Sequence, residues 1–488
     1  MHELVACCPV PTPVPVAVGN PDCGYPLPWS EQTWLPVVAA TPNGLAHADM
    51  FACNLADLIY SLRAAVPGPA LPCPALPCEL HQRPVRVMWF RISMSKLRRI
   101  STAFAAAVAV AAIALLSACG AQSARPRPST SSPTVTNSPN PAQTIDPLAG
   151  LSIEQKVGQL FVVGSPATAA GAEALSAITN RQVGGVFLSG RSTAGTAATR
   201  AVVQKFTAAA SGQPGPLLIT TDQEGGEVQV LSGPGFETIP AATVQGAEPA
   251  DQLEAEAARW GRELASAGVN LNLAPVADVV PSAAAAPGNA PIGALNRQFG
   301  FDEATVETHA GAVMKGMQSV GVFTAPKHFP GLGNVTQNTD TSSDVTDTTT
   351  TADSPSVRVV ARLIDNGAQA VMVSTAIYAK LDPGVPAAFS PKVVEGLLRS
   401  TLGFTGVVIT DDLSGATQVA PWSAADRGIL SIQAGDDLVL VSRDPQYAAS
   451  MIDAVVQKAR NDPTFAAQVD AAARRVLAFK SKLGAAPG

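Results

Sequence analysis

The chain has 488 residues, 47% of them hydrophobic and 14% charged, with a formal net charge of −6. That apolar content excludes a disordered chain, the low charge excludes a coiled coil, and the acidic balance offers no basic face to nucleic acid. Its seven cysteines end at Cys119, so whatever folds downstream uses neither disulfides nor thiolate metal sites.

In chain order, residues 1–93 are rich in Pro and Cys and show no sustained period. Residues 94–119 then carry a basic start at Lys96, Arg98 and Arg99, an apolar run over 101–114, and the close Leu116-Ser117-Ala118-Cys119. This is the layout of a secretory signal, too short and Ala-rich for a membrane span. Its ending resembles the lipobox of bacterial lipoproteins, in which diacylglycerol alkylates the cysteine thiol and that cysteine becomes the new N-terminus. Cys119 is therefore the expected lipid attachment, with the protein exported and held on the outer face of the cell membrane. Such a signal works only near an N-terminus. Translation is expected to start at Met94, leaving 1–93 as an upstream extension. Residues 120–147 are dense in Ser, Thr and Pro and read as an extended tether.

From there to residue 488 short apolar runs alternate with amphipathic stretches. Strands are predicted within 158–164, 184–190, 216–222, 269–275, 322–328, 370–376, 406–412 and 436–442. Helices are predicted at 249–267, 354–366 and 391–402, with stops at Gly268, Gly367 and Gly403. Eight strand–helix units point to an α/β fold, a (β/α)8 TIM-type barrel forming a single catalytic domain over 148–488. A doubly wound open sheet is the competing architecture, but Gly331-Leu332-Gly333 lacks the third glycine of a dinucleotide fingerprint and follows a middle strand. In such a barrel chemistry gathers at the C-terminal strand ends. Asp222 and Glu224 follow strand three, Lys327 and His328 end strand five, and Asp411 and Asp412 end strand seven. Singly, each has an ordinary reading as a turn residue, strand-end pair or helix cap. Together they form the rim of carboxylates and cations that sugar chemistry needs.

The segments TTDQEGGEVQVL, NRQFG, APKHFPGLG and FSPKVVEGLLRSTLGFTGVVITDDLSG resemble family 3 glycoside hydrolases, closest to the single-domain β-N-acetylglucosaminidases. The resemblance covers roughly residues 150–488. It implies a retaining hydrolase acting on terminal β-linked N-acetylglucosamine in cell-wall glycans or muropeptides, through a glycosyl-enzyme intermediate. By the same resemblance Asp411 is the nucleophile, and Asp222, Lys327 and His328 bind sugar hydroxyls. Arg297 holds the sugar or its acetamido neighbourhood, and Asp412 is a helix cap or an orienting neighbour.

Three positions depart from the family pattern. The loop after KHFPG should carry an Asp-Ser-His whose histidine is the general acid/base, but the ungapped stretch here is Asn338-Thr339-Asp340. The five histidines are His2, His47, His81, His309 and His328, so none lies beyond strand five. An arginine of the strand-three loop is replaced by Val230, and a histidine-containing segment after strand six reads Ser374-Thr375. Asp340 is the candidate replacement acid/base, because a carboxylic acid serves if poor solvation or a nearby anion raises its pKa. Asp344 and Glu224 are the fallbacks. Residues 334–351, rich in Thr, Ser and Asp, are expected to form a mobile loop. No metal or cofactor is expected, since no His/Asp/Glu cluster has ligand spacing. The competing functions are a β-glucosidase-like or phosphorylase member of the family and a non-catalytic glycan-binding lipoprotein. The expected partners are the glycan and the membrane reached through the lipid; a monomer is the simplest assembly.

Overall fold

The computed structural model describes residues 146–483, and before them only the antiparallel pair Ala17–Val18 with Ser30–Glu31. The signal segment, Cys119 and the tether as far as residue 145 lie outside the described residues. The described fold begins at the end of the tether, near Asp146. Asp146 already belongs to the fold, where it accepts the Leu148 N–H at 3.0 Å and pairs with Arg474.

Eight parallel strands overlap the eight predicted runs: β1 Phe161–Pro166, β2 Gly185–Ser189, β3 Leu218–Thr221, β4 Leu271–Asn272, β5 Phe323–Thr324, β6 Ala370–Val373, β7 Val407–Thr410 and β8 Val439–Val441. Six of them form one sheet in the order β8-β1-β2-β3-β4-β5. β6 and β7 form a separate parallel pair, with Ala370 opposite Val407. Both flanks of that pair are bonded to segments adjoining strands of the larger sheet. The Phe329 N–H donates to the Met372 carbonyl at 2.8 Å on one side, and the Thr410 N–H to the Leu438 carbonyl at 2.9 Å on the other. The strands are apolar and buried on both faces, as parallel strands covered by helices must be.

The intervening helices are α1 Ile153–Gly158, α2 Ala172–Arg181, α3 Gly195–Ala209, α4 Ala250–Ala267, α5 Glu303–Gln318, α6 Pro355–Asp365, α7 Ala424–Ala434, α8 Ala448–Asn461 and α9 Pro463–Lys480. Their starts follow local chemistry. Asp302 accepts the Thr305 N–H at 2.9 Å, Ser423 accepts that of Asp426 at 3.1 Å, and Pro355 supplies the preset φ of a first turn. α4 ends where Gly268 takes a left-handed φ of 88°. The helix predicted at 391–402 is instead a π-helix, Lys392–Thr401, in which Gly396 and Leu402 donate five residues back, to Pro391 and Leu397.

Beneath the N-terminal strand ends, α9 buries Lys480. Its Nζ reaches the Gln159 Oε1 at 2.6 Å and the Gly184 carbonyl at 3.2 Å, with no carboxylate among its partners. Burial pushes this ammonium down to about 7.

Candidate active site

All the residues singled out from the sequence follow the C-terminal ends of strands, so parallel pairing brings them to one side of the sheet. The loop after β3 is a short hairpin, Gln223–Gly225 with Val228–Gln229. Gln223 pins it by accepting the Leu231 N–H at 3.0 Å and donating to the Leu231 carbonyl at 2.7 Å. A Cβ on Gly225, which has φ 102°, would meet the Pro240 carbonyl oxygen at 2.3 Å, so the turn requires glycine there. Val230, the departure in this loop, is buried, and its N–H donates to the Asp222 carbonyl at 3.2 Å.

That hairpin aims Asp222 and Glu224 at Lys327. The Lys327 Nζ stands 2.6 Å from the Asp222 Oδ1 and 2.6 Å from the Glu224 Oε1. Arg297 grips Glu224 from the other side with two parallel bonds of 2.8 Å, from Nε to Oε2 and from Nη2 to Oε1. Burial alone would raise the Glu224 pKa, but the Arg297 and Lys327 charges outweigh it and hold this carboxyl well below the usual range. Burial would likewise lower Lys327, yet Asp222 and Glu224 hold the ammonium above its ordinary value. Three charge-assisted bonds thus favour Glu224 as an anion, an arrangement suited to an anchor more than to a proton donor.

Arg297 is less free than a dedicated sugar ligand would be. Its Nη1 also donates to the Pro291 carbonyl at 2.7 Å, so three of its five N–H groups are taken and two remain. Asp222 keeps its Oδ2 without a bonding partner among the described residues.

His328 owes its orientation to Asp278, a residue the sequence reading missed. The fully buried Asp278 accepts the His328 Nδ1–H at 2.8 Å, the His328 backbone N–H at 3.2 Å and the Leu332 N–H at 2.7 Å. The turn KHFPGL is therefore wrapped around one carboxylate, and the imidazole is left with only Nε2 to offer. The available signal was a lone acid in the apolar run after strand four, because a buried carboxylate needs partners.

Asp411 ends β7, its N–H donating to the Val373 carbonyl at 2.9 Å. Burial raises its pKa, while His328, the Asp412 N–H and Lys327 oppose that rise. Asp412 is an orienting neighbour and not a helix cap. Its Oδ1 accepts the Ser414 N–H at 3.2 Å, the Ser414 Oγ at 2.6 Å and the Ser442 N–H at 2.7 Å, and its Oδ2 accepts the Gly415 N–H at 2.7 Å. These bonds tie the end of β7 to the end of β8.

The loop after β5 brings Asp340 to the same place. Its side chain is exposed. Partial loss of hydration among its neighbours and the charges of Asp411 and Asp412 push its carboxyl up to about 6, while Arg297 and His328 pull the other way. Asp344, the other fallback, is exposed on a left-handed residue with φ 57°. The mobility expected for this loop is not what its packing supports. Val335 and Val345 are buried, and Thr346–Asp347 pairs in parallel with Ile377–Tyr378. Ser374 and Thr375, where the family pattern carries a histidine, are fully buried. Among the described residues no group of three His, Cys, Asp or Glu is placed to hold a metal ion.

Residues 152–479 match the N terminal domain of glycosyl hydrolase family 3. A Beutenbergia cavernae protein described as a beta-N-acetylhexosaminidase has 58% identity and a TM-score of 0.68, covering 68% of this chain and 99% of its own. A family 3 beta-N-acetylglucosaminidase from a Paenibacillus species has 28% identity and a TM-score of 0.63, covering 69% and 64%. A beta-hexosaminidase of Xanthomonas campestris pv. campestris is 32% identical over 339 residues, 67% of this chain and 96% of its own. By this match, and by the motifs its strand ends carry, the chain belongs to glycosyl hydrolase family 3.

Proposed function

We propose that this protein is a retaining β-N-acetylhexosaminidase that removes terminal β-linked N-acetylglucosamine from cell-wall-derived glycans. The observation that carries the reading is the pairing of two carboxyls in different environments. The charges of His328 and Lys327 favour the ionised form of Asp411, while loss of hydration and the anions Asp411 and Asp412 support a protonated Asp340 near neutrality.

In the first step the Asp411 carboxylate attacks the anomeric carbon as the bond to the aglycone oxygen breaks. That oxygen keeps the bonding pair and takes the proton from Asp340. In the second step water attacks the anomeric carbon, gives its proton to the Asp340 carboxylate, and releases Asp411 as carboxylate. Asp222 accepts from sugar hydroxyls through its free Oδ2, while Lys327, His328 and the two spare Arg297 N–H groups position the ring. Glu224 keeps the two cations charged and in place.

We read the six-stranded sheet and the β6–β7 pair as one closed (β/α)8 barrel, and we assign Cys119 as the lipid-bearing residue that holds it at the outer membrane face. The sequence of residues 94–119 supports the anchor. Loss of membrane association in Cys119→Ser would test it.

The activity is tested with three substrates: an aryl β-N-acetylglucosaminide, an aryl β-glucoside and a muropeptide. Turnover of the first, lost in Asp411→Ala, is the expected result. Preference for the glucoside would make the protein a β-glucosidase, and binding without turnover would make it a glycan-binding module.

A further inference from the structure

The Asp340 side chain has no hydrogen-bond partner among the described residues, so what places it is the position of the backbone that carries it. That backbone is gripped from the segment after β7. The Thr417 N–H and Oγ–H both donate to the Asp340 carbonyl, at 3.2 and 2.9 Å, and the Gln418 N–H donates to the Thr339 carbonyl at 3.0 Å. The buried Gln418 amide closes the far end of the same loop. Its Oε1 accepts the Val345 N–H at 2.8 Å, and its Nε2 faces the Val345 carbonyl at 3.4 Å.

Thr417 and Gln418 lie only a few residues beyond Asp411 in the same segment. We propose that Gln418, assisted by Thr417, is the positioning residue that hangs the acid loop from the nucleophile's own segment and so fixes the spacing of the two carboxyls. The proposal rests on the reading of Asp340 as the acid/base. Without the clamp the loop keeps its flanking anchors, the buried Val335 and Val345 and the pairing of Thr346–Asp347 with Ile377–Tyr378, but the stretch that carries Asp340 loses its hold on the segment after β7. A retreat of Asp340 would weaken its interaction with every charged group that faces it: Asp411 and Asp412, which raise its pKa, and Arg297 and His328, which lower it. Loss of hydration raises this acid most and the two anions add to it, so retreat into water moves it toward its ordinary, lower value.

The test uses the full chain with Gln418→Met, which keeps the bulk and removes both amide bonds, and with Thr417→Val and Thr417→Ser. Each is assayed on a disaccharide and on a dinitrophenyl glycoside across pH, with melting curves to show that the variants fold. Expected for Gln418→Met is a loss of roughly 10-fold or more in kcat on the disaccharide, within the range general acid catalysis spans. The dinitrophenyl substrate, which needs little proton donation, should lose far less. The alkaline limb of the pH profile should move to lower pH. Thr417→Val should show the same pattern more weakly, and Thr417→Ser should restore it. If Gln418→Met does not fold, Thr417→Val carries the test alone. Folded variants with unchanged limb and leaving-group dependence overturn the clamp, provided Asp340→Asn does show the leaving-group effect. If Asp340→Asn shows none, the acid assignment and the clamp fall together.

Discussion

Glu224→Gln separates an anchor from a catalyst. In the native site Glu224 receives three charge-assisted bonds, one of 2.6 Å from Lys327 and two of 2.8 Å from Arg297. Each such bond contributes about 1.5–3 kcal/mol, but Gln can still accept one or two of them through its carbonyl. The larger cost is electrostatic. Lys327 is almost completely buried, and losing one of its two anionic partners leaves excess positive charge in a closed site. Breaking a buried pair in this way costs about 3–5 kcal/mol. Urea unfolding at pH 7 should therefore show a loss of about that size. Turnover should fall for all aryl glycosides by a similar factor, because Lys327 and Asp222 lose their setting together. A loss that grows with the pKa of the leaving group, with stability retained, would refute this and make Glu224 the proton donor.

Asp340→Ala should lose about 100- to 10,000-fold on an alkyl or sugar leaving group and far less on an activated aryl one. Because the Asp340 carboxyl is pushed up to about 6, the protonated acid dominates below that pH. The wild-type rate should accordingly decline as pH rises through about 6 to 7, and the leaving-group series across pH checks both points. Asp278→Asn should lower kcat/KM by about 10- to 100-fold, the worth of about 1–3 kcal/mol of a buried acceptor lost to the imidazole. In a His328→Ala background most of that activity effect should vanish while the stability loss persists, since Asp278 also holds the Leu332 N–H. Lys480→Met concerns stability alone. The folded ammonium is lowered to about 7, so the unfolded chain binds a proton that the folded chain refuses between its ordinary value and 7. The stability of Lys480→Met relative to wild type should rise by about 3–5 kcal/mol as pH falls from about 10 to about 7, then level off. A pH-independent difference would contradict it.

The sequence exposed most of this fold because buried parallel strands are short continuous apolar runs, and each run from 158–164 to 436–442 contains residues of an observed strand. The helix type at Lys392–Thr401 was not legible, because π and α windings place much the same apolar residues inward. In the candidate site, Asp222, Lys327, His328 and Asp411 stand out in the sequence because they follow predicted strands, and the structure pairs Lys327 with Asp222. The pairing of Glu224 with Arg297 was not legible, since the two lie 73 positions apart. Asp278 was invisible for the same reason, paired across 50 positions to a turn it organises. The loop 334–351 looked unanchored because its composition is polar, and several of its anchors, the pairing with Ile377–Tyr378 and the hydrogen bonds to Gln418, are long-range contacts that no local pattern announces.

The central claim is that Asp411 becomes covalently bonded to the sugar. A 5-fluoro N-acetylglucosaminyl fluoride forms the glycosyl-enzyme readily and slows its hydrolysis, so the adduct should accumulate and be located by peptide mass spectrometry. The account predicts one sugar per chain, on the peptide containing Asp411 and absent from Asp411→Ala. An adduct on another residue, or rapid turnover through an oxazoline with no adduct on the protein, would contradict it.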